Sequence, residues 1–214
     1  MSTFLDIENW NRREHFCFFK EYDNPFFNIC ADVDVTNLLT YTKEHHLSFF
    51  ITSLFLSQRA ANSIDEFRYR IRGDRVVVHD VIHAGSTVLN SDQTFSFCYF
   101  DYDGNFQTFN REATQKLAKY EKGSRSFEAR EDRDDLIHYS VIPWIAFTSF
   151  SHARKYGIND SVPKVVFGKY YENSGIKKMP VSVEVHHALM DGIHVGRFFE
   201  EFQKELLTPN KLIQ

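Results

Sequence analysis

The sequence contains little cysteine, proline or glycine and no long apolar run, and these shortages narrow the possible class of protein. Of 214 residues, three are cysteine, five are proline and nine are glycine. The cysteines Cys17, Cys30 and Cys98 are odd in number, widely spaced and without a CxxC pair. We therefore expect reduced thiols in a cytoplasmic protein rather than a disulfide framework.

Other absences argue against membrane, secreted and nucleic-acid-binding proteins. The most apolar stretch, residues 47–56, is shorter than the roughly 20 residues that a membrane helix needs. The N-terminal residues have neither a cationic region nor a long apolar region, as a secretion signal would. A formal charge of −4 offers no cationic surface for phosphates. We expect neither a membrane nor a nucleic acid among the partners.

What is present is typical of one globular domain. Hydrophobic residues make up 43% and charged residues 25%, which excludes a disordered chain. A single domain over residues 1–214 is long enough to bury a core without a metal or a disulfide. The aromatic content of 16%, with 22 phenylalanines, indicates a core or a pocket lined with rings.

Hydrophobic patterning predicts strands and helices in mixed order. The predicted strands are 29–35, 67–71, 75–79, 93–99, 137–142, 164–171 and 179–187, the last two forming a hairpin around residues 173–175. The predicted helices are 36–45, capped by Thr36, then 49–62, 109–122 and a last one that begins near Ile193. Without a strict βαβα alternation, this order favours an α/β (α+β) fold with a mixed sheet covered by helices on one side.

The segment most typical of a functional site is EVHHALMDGIH, residues 184–194. Side chains alternate along the preceding strand, so His187 follows the valines on the apolar face, where burial keeps an imidazole neutral. Spacing alone leaves three interpretations open. His187 is a buried structural histidine with Asp191 as a helix N-cap, or a general base above a pocket, or part of a metal site. The metal set would be His186, His187, Asp191 and His194. Because adjacent strand residues point apart, we expect no metal.

Longer motifs carry a resemblance to a known family. Together with His186, the run HALMDGIHVGRF at residues 187–198 resembles the HHAxxDGxHVGRF signature of the chloramphenicol acetyltransferases, a family of trimeric, CoA-dependent enzymes. Further similar segments follow the family's order: NWNRREHF at 9–16, EFR at 66–68, SVIPW at 140–144, FTSF at 147–150 and GKY at 168–170. The resemblance runs from about residue 9 to about residue 205.

This resemblance implies a fold and a mechanism. The fold would be a CoA-dependent acyltransferase-like two-layer sandwich with a large mixed sheet, assembled as a homotrimer with sites at the subunit interfaces. His187 would be the general base that deprotonates an acceptor hydroxyl for direct attack on acetyl-CoA. Ser140 would bind the oxyanion, and Asp191 would form an ion pair with Arg12 that holds the histidine loop.

The resemblance also assigns binding residues. Lys169, Tyr170 and Trp144 would contact acetyl-CoA, the co-substrate. The acceptor is expected to be a small hydroxyl compound, and its pocket would include the rings of Phe19, Phe95 and Phe127. Val166 would lie in the pocket at a position where the family usually has threonine.

Departures from the family pattern keep three functions open. They are Val166 for threonine, Ser48 and Phe50 for a CoA-contacting lysine and tyrosine, Ile51 for proline, His152 for leucine, Glu184 for glutamine and Ile193 for an aromatic residue. The leading hypothesis is an acetyltransferase able to modify chloramphenicol, and hence antibiotic resistance. The alternatives are acetyl transfer to another alcohol or an amine, with little chloramphenicol activity, and a non-catalytic small-molecule-binding protein.

Overall fold

The structure is a computed structural model that describes residues 2–130, 132–154 and 160–213. Its main feature is a seven-stranded mixed sheet with the order β2-β10-β8-β7-β5-β6, in which β9 pairs with β10 off this path. The strands are β2 (Phe26–Asp34), β5 (His83–Leu89), β6 (Phe95–Phe100), β7 (Leu136–Ile142), β8 (Lys164–Gly168), β9 (Tyr171–Asn173) and β10 (Ile176–His186). Only the β5–β7 and β7–β8 pairs are parallel among the described strands.

Helices cover one face of this sheet and bury most of the core. They are α2 (Thr36–Glu44), α3 (Phe49–Asn62), α4 (Phe106–Glu121) and α5 (Gly192–Leu207). α3 forms because ten of its residues are buried, as expected for a mostly apolar 14-residue run between other elements. Its side chains pack with α5 and with the inward residues of the strands, such as Val183 and Tyr139. The helices therefore fix the sheet from one side only.

The opposite side of the sheet, here called the helix-free face, carries the alternate side chains of every strand. Residues 143–154, here called the covering loop, lie over β8 and β10 on this face. The loop's Phe147 ring packs against Gly168, where an added Cβ would come within 2.9 Å of it. Over β5, β6 and β7 the face remains open, and Phe95 and His138 are exposed.

A smaller sheet supports the start of the chain and the end of β10. It has the order β1-β4-β3, from Ser2–Phe4, Arg75–His79 and Tyr69–Arg72. Together with helix α1 (Arg13–Phe19), it forms a second hydrophobic cluster that includes Phe16, Ala188 and Leu189. The turn after β10 is thus buried against α1, which places the predicted histidine loop on a packed support.

The predicted elements agree with the structure in kind, and several differ in detail. The helix over 49–62 and the strand over 75–79 are confirmed at both ends. The Thr36 cap is wrong: Val35 is at the N-cap position of α2, and the Thr36 hydroxyl instead accepts a hydrogen bond from the Lys177 backbone N–H. The hairpin around residues 173–175 joins β9 to β10, with Ser174 and Gly175 both at positive φ, and β8 pairs further along β10. Strands β1 and β5 and helix α1 were not predicted.

Among the described residues, no helix combines the length and the apolar character needed to cross a membrane.

Candidate active site

His187 lies in a tight turn directly after β10. The turn is closed by backbone hydrogen bonds from Leu189 and Met190 to the His186 carbonyl, at 3.0 and 3.2 Å. The His187 N–H donates to the Pro25 carbonyl at 2.7 Å, which ties the turn to the segment before β2. Ala188, Leu189 and Met190 are fully buried, so the turn is anchored on both sides of the imidazole.

Arg12 holds this turn from the N-terminal segment. Its guanidinium forms an ion pair with Asp191, with Nη2 at 3.0 Å from Oδ1, and also donates to the carbonyls of His187 at 2.6 Å and Ala188 at 3.3 Å. The Arg12 hydrogen bond lowers the pKa of Asp191, so the carboxylate stays charged. Asp191 occupies the N-cap position of α5, and its backbone N–H donates to Nδ1 of His194 at 2.8 Å. The predicted Arg12–Asp191 pair is therefore present.

The His187 ring is held by a stacked phenylalanine and by two oxygen atoms. Phe19 stacks on it at 3.8 Å between ring centroids, and Phe27 approaches at 4.8 Å. Nδ1 lies 3.3 Å from the Met190 carbonyl and 3.0 Å from Oδ1 of Asp191. Since both oxygens are acceptors, Nδ1 carries the proton in the neutral ring, and Nε2 keeps its lone pair.

The predicted burial of His187 is wrong. Its side chain is 33% exposed, because β10 ends at His186 and the strand alternation no longer applies to the next residue. His186 is the buried histidine of the pair, and burial, followed by the charge of Arg154, lowers its pKa to about 4. Within the described ranges, no group of three or more His, Cys, Asp or Glu side chains could hold a metal ion.

Ser140 and Val166 lie next to each other on the helix-free face, away from His187. Ser140 on β7 is opposite Val166 on β8, and Val166 is opposite Ser182 on β10. His187 is five residues beyond Ser182 along the chain, and β10 is two strands away from β7. With about 3.3 Å per residue and about 4.8 Å between neighbouring strands, the Cα atoms of His187 and Ser140 are roughly 20 Å apart. The Ser140 hydroxyl has no hydrogen-bond partner among the described residues. One copy of the chain does not bring the two groups together.

The predicted pocket rings are divided in the same way. Phe19 contacts His187, whereas Phe95 and Phe127 pair at 5.4 Å on the far edge of the sheet. Phe97, which was not predicted, lies 5.4 and 5.3 Å from these two rings. Phe127 is 75% exposed. The three rings form an open aromatic group on the helix-free face.

The predicted CoA-contacting residues occupy two joined loops. Trp144 and Tyr170 are exposed, and so is Lys169, whose N–H donates to the Ile145 carbonyl at 3.0 Å. A cleft of about 410 Å³ opens beside these loops and not at His187. It is lined by Cys30, Ala31, Asp32, Ala146, Phe147, Thr148, Tyr171 and Pro180. Beside the cleft, the exposed side chains of Lys169, Trp144 and Tyr170 supply a cation and two aromatic rings, which suits a ligand with phosphates and a base.

The sequence did not predict every residue of the site, and the structure explains some of the departures from the family pattern. Phe27 was not predicted, although it precedes the predicted strand by two residues and the alternation of β2 extends to it. Ser48 accepts a hydrogen bond from the Ile51 N–H at 3.3 Å and caps α3. Glu184 and His152, two departures distant in sequence, lie 3.4 Å apart.

Comparisons with known sequences agree on one family. The family model described as chloramphenicol acetyltransferase matches residues 1–203. A chloramphenicol acetyltransferase of Proteus mirabilis is 29% identical over 201 residues, which cover 94% of this chain and 92% of the relative. One from Klebsiella sp is 30% identical over 203 residues, with the same coverage.

Solved structures give the same result for the fold. A chloramphenicol acetyltransferase structure that is 31% identical superimposes with a TM-score of 0.90 and covers 96% of this chain and 100% of its own. A dihydrolipoamide acetyltransferase of Azotobacter vinelandii, 15% identical, superimposes with a TM-score of 0.67 over 94% of this chain and 88% of its own. The second likeness concerns the fold alone.

Proposed function

The chain belongs to the chloramphenicol acetyltransferase family and is an acyltransferase, and on this premise we propose that it transfers the acetyl group of acetyl-CoA to the hydroxyl of a small acceptor. The observation that carries this proposal is the state of His187. Its Nδ1 is engaged by two acceptor oxygens, its ring is backed by Phe19, and a third of its side chain is exposed. Such an imidazole presents a basic Nε2 to a bound alcohol.

The reaction is a direct transfer. Nε2 of His187 removes the proton of the acceptor hydroxyl while its oxygen attacks the thioester carbonyl carbon. The C–O bond forms, and the carbonyl electrons move to the oxygen, where a hydroxyl donor stabilises the charge. When the carbonyl reforms, the C–S bond breaks, and the imidazolium returns its proton to the CoA thiolate. Arg12 and Asp191 do not exchange protons in this scheme, since both bind the turn and fix the ring.

We assign the oxyanion donor to Ser140 of a neighbouring copy in a homotrimer. Ser140 lies roughly 20 Å from His187 within one chain, whereas a donor must come within about 3 Å of the oxyanion. The Ser140 hydroxyl has no partner among the described residues, and the helix-free face is open on its β5 and β6 side. A closed trimer places the same face of each copy against the His187 turn of the next, so that three equivalent sites form.

Acetyl-CoA would enter along the loops of Lys169, Tyr170 and Trp144. Lys169 would bind a phosphate, and the two rings offer surfaces for stacking the base. Ser48, where a CoA-contacting lysine is usual in the family, is committed to capping α3. We therefore expect weaker CoA binding than in relatives that carry that lysine.

A different acceptor is the second candidate function, because several pocket positions depart from the family pattern. Val166 is fully buried beside Ser140 and offers no hydroxyl, and Glu184 and His152 are polar side chains 3.4 Å apart on the same face. These side chains alter what the pocket accepts without altering His187. Chloramphenicol is thus one acceptor to test among several alcohols and amines.

The test is an assay of CoA thiol release with acetyl-CoA and a panel of acceptors that includes chloramphenicol. The wild-type protein should release thiol with at least one acceptor, and His187→Ala should not. The matched control is His45→Ala, which removes an exposed histidine directly after the C-terminal end of α2. Equal rates for wild type and His187→Ala would contradict the mechanism. A kcat/KM above about 10⁴ M⁻¹s⁻¹ for chloramphenicol would exclude the second candidate.

A further inference from the structure

A charged row of side chains lies beside Ser140 on the helix-free face, and the mechanism above does not use it. His138, Lys164 and Glu184 stand opposite one another on β7, β8 and β10. Along each strand this row is two residues from the row of Ser140 and Val166, so its side chains point to the same face. With about 3.3 Å per residue and about 4.8 Å between strands, the Cα of Lys164 lies about 8 Å from that of Ser140.

The other charges near this row are already paired. Glu184 accepts a hydrogen bond from Nε of Arg154 at 2.6 Å, and His152 is within 3.4 Å. Arg154 also donates to Asp160 at 2.7 Å and lies 3.2 Å above the Phe26 ring. Burial acts to raise the pKa of Glu184, but the His152 hydrogen bond and the charge of Arg154 outweigh it and hold the pKa at about 2. Glu184 is therefore a carboxylate whose charge is met by its neighbours.

Lys164 is not paired in this way. Its ammonium donates to the Ala153 carbonyl at 3.2 Å, and no carboxylate of the described residues lies within ion-pair distance of it. Burial, followed by the charge of Arg154, lowers the pKa of Lys164. An ammonium has three donors, and the Ala153 carbonyl takes one of them, so two remain for an anion.

We propose that Lys164 binds a carboxylate of the acceptor, so that the substrate is an alcohol that also carries a carboxylate. The inference rests on the proposed function, since Ser140 marks the place of the acetyl carbonyl. Because Arg154 faces two carboxylates, the surroundings are not strongly positive, which favours a monoanion over a dianionic phosphate. Lys164 takes no part in the chemistry, and it determines which acceptor binds.

A matched pair of acceptors tests this inference. The probes are 4-(hydroxymethyl)benzoate, which combines a ring, a primary alcohol and a carboxylate, and its neutral methyl ester. Thiol release by the full-length protein should give a kcat/KM at least about 10-fold higher for the acid, as one charge-assisted hydrogen bond provides. Lys164→Met should lower the value for the acid by about 10- to 100-fold and change that for the ester less than about threefold. Lys164→Arg should keep most of the preference.

Two controls separate binding from structure. Lys177→Met removes a lysine of β10 that is paired with Glu172, and it should change neither acceptor's kcat/KM. The melting temperature of Lys164→Met should stay close to that of the wild type, because the ammonium makes one exposed hydrogen bond and no ion pair with a described residue.

Several outcomes would overturn the inference. One is an equal loss for acid and ester in Lys164→Met. Another is a rise in the KM of acetyl-CoA alone, which would place Lys164 on a CoA phosphate. A third is a wild-type protein that neither acetylates the acid nor binds it by calorimetry. If calorimetry shows Lys164-dependent binding of the acid but no alcohol, chloramphenicol included, releases thiol, then the proposed function fails and the anion site stands.

Discussion

His187 and Ser140 differ in how far the contacts within one chain fix their side chains. The turn that carries His187 is bonded on all sides within one chain, by Arg12, by the Pro25 carbonyl and by the stacked ring of Phe19. Ser140 stands on an open sheet face, and its hydroxyl has no partner among the described residues. The first region is complete in a single copy, and the second is not.

In the proposed mechanism, this difference divides the work of catalysis between two copies of the chain. A general base needs a fixed tautomer and a fixed orientation, and contacts local to the β10–α5 turn supply both. An acceptor pocket needs a wall opposite the base, and the helix-free face provides one only if another copy supplies the imidazole. An experiment in which either region functions without the other would refute this division.

The largest effect is expected for His187→Ala. Loss of a positioned base should lower kcat by about 10²- to 10⁴-fold, with little change in the melting temperature because the ring is partly exposed. Steady-state thiol release and a thermal melt provide the two measurements. A variant that retains more than a tenth of the wild-type kcat would show that His187 is not the base.

The second-largest effect is expected for Ser140→Ala. Loss of an oxyanion donor should lower kcat by about 10²- to 10³-fold. The KM values should change little, since the hydroxyl acts in the transition state. The fold should be unaffected because no hydrogen bond to a described residue is lost. If only the KM of the acceptor rises, Ser140 binds the substrate rather than the oxyanion.

Arg12→Met should have a smaller effect on rate and a clear effect on stability. Three hydrogen-bonded groups of the turn lose their donor, so we expect about 10- to 100-fold lower activity and about 1–3 kcal/mol lower stability. Urea unfolding and thiol release measure the two losses. The matched control is Arg13→Met, which changes the next residue, an exposed arginine at the start of α1. Unchanged activity in a destabilised Arg12→Met would show that the pair supports the fold alone.

The smallest effect on activity at neutral pH is expected for His186→Asn, which keeps an acceptor for the Ala188 N–H. The variant instead tests the pH dependence of stability. Since the folded-state pKa is about 4 and the unfolded value is 6.5, the unfolded chain binds a proton first as the pH falls. Wild-type stability should therefore be lost between pH 6.5 and about 4, by up to about 3 kcal/mol.

Urea midpoints at a constant protein concentration should show this slope in the wild type and a smaller slope in His186→Asn. The same slope in both proteins would mean that His186 is not the group responsible.

The sequence predicted the regions that local pattern determines. The helix over 49–62 follows from a continuous apolar run, and the Arg12–Asp191 pair follows from the family motif. It did not predict contacts that depend on distant segments. Glu184 meets His152 and Arg154 only because the covering loop returns over β10, and a strand pattern alone carries no such information. The exposure of His187 depends on β10 ending one residue earlier than the alternation suggested.

The central claim is that each active site combines His187 of one copy with Ser140 of another, and complementation tests it directly. His187→Ala and Ser140→Ala chains, each nearly inactive alone, are co-expressed with different tags, and mixed oligomers are purified through both tags. Each mixed trimer, whether two-to-one or one-to-two, has wild-type residues at one site in three, so the doubly purified oligomers should show about a third of the wild-type kcat. Activity that remains at the level of the separate variants, in oligomers shown to contain both chains, would contradict the account.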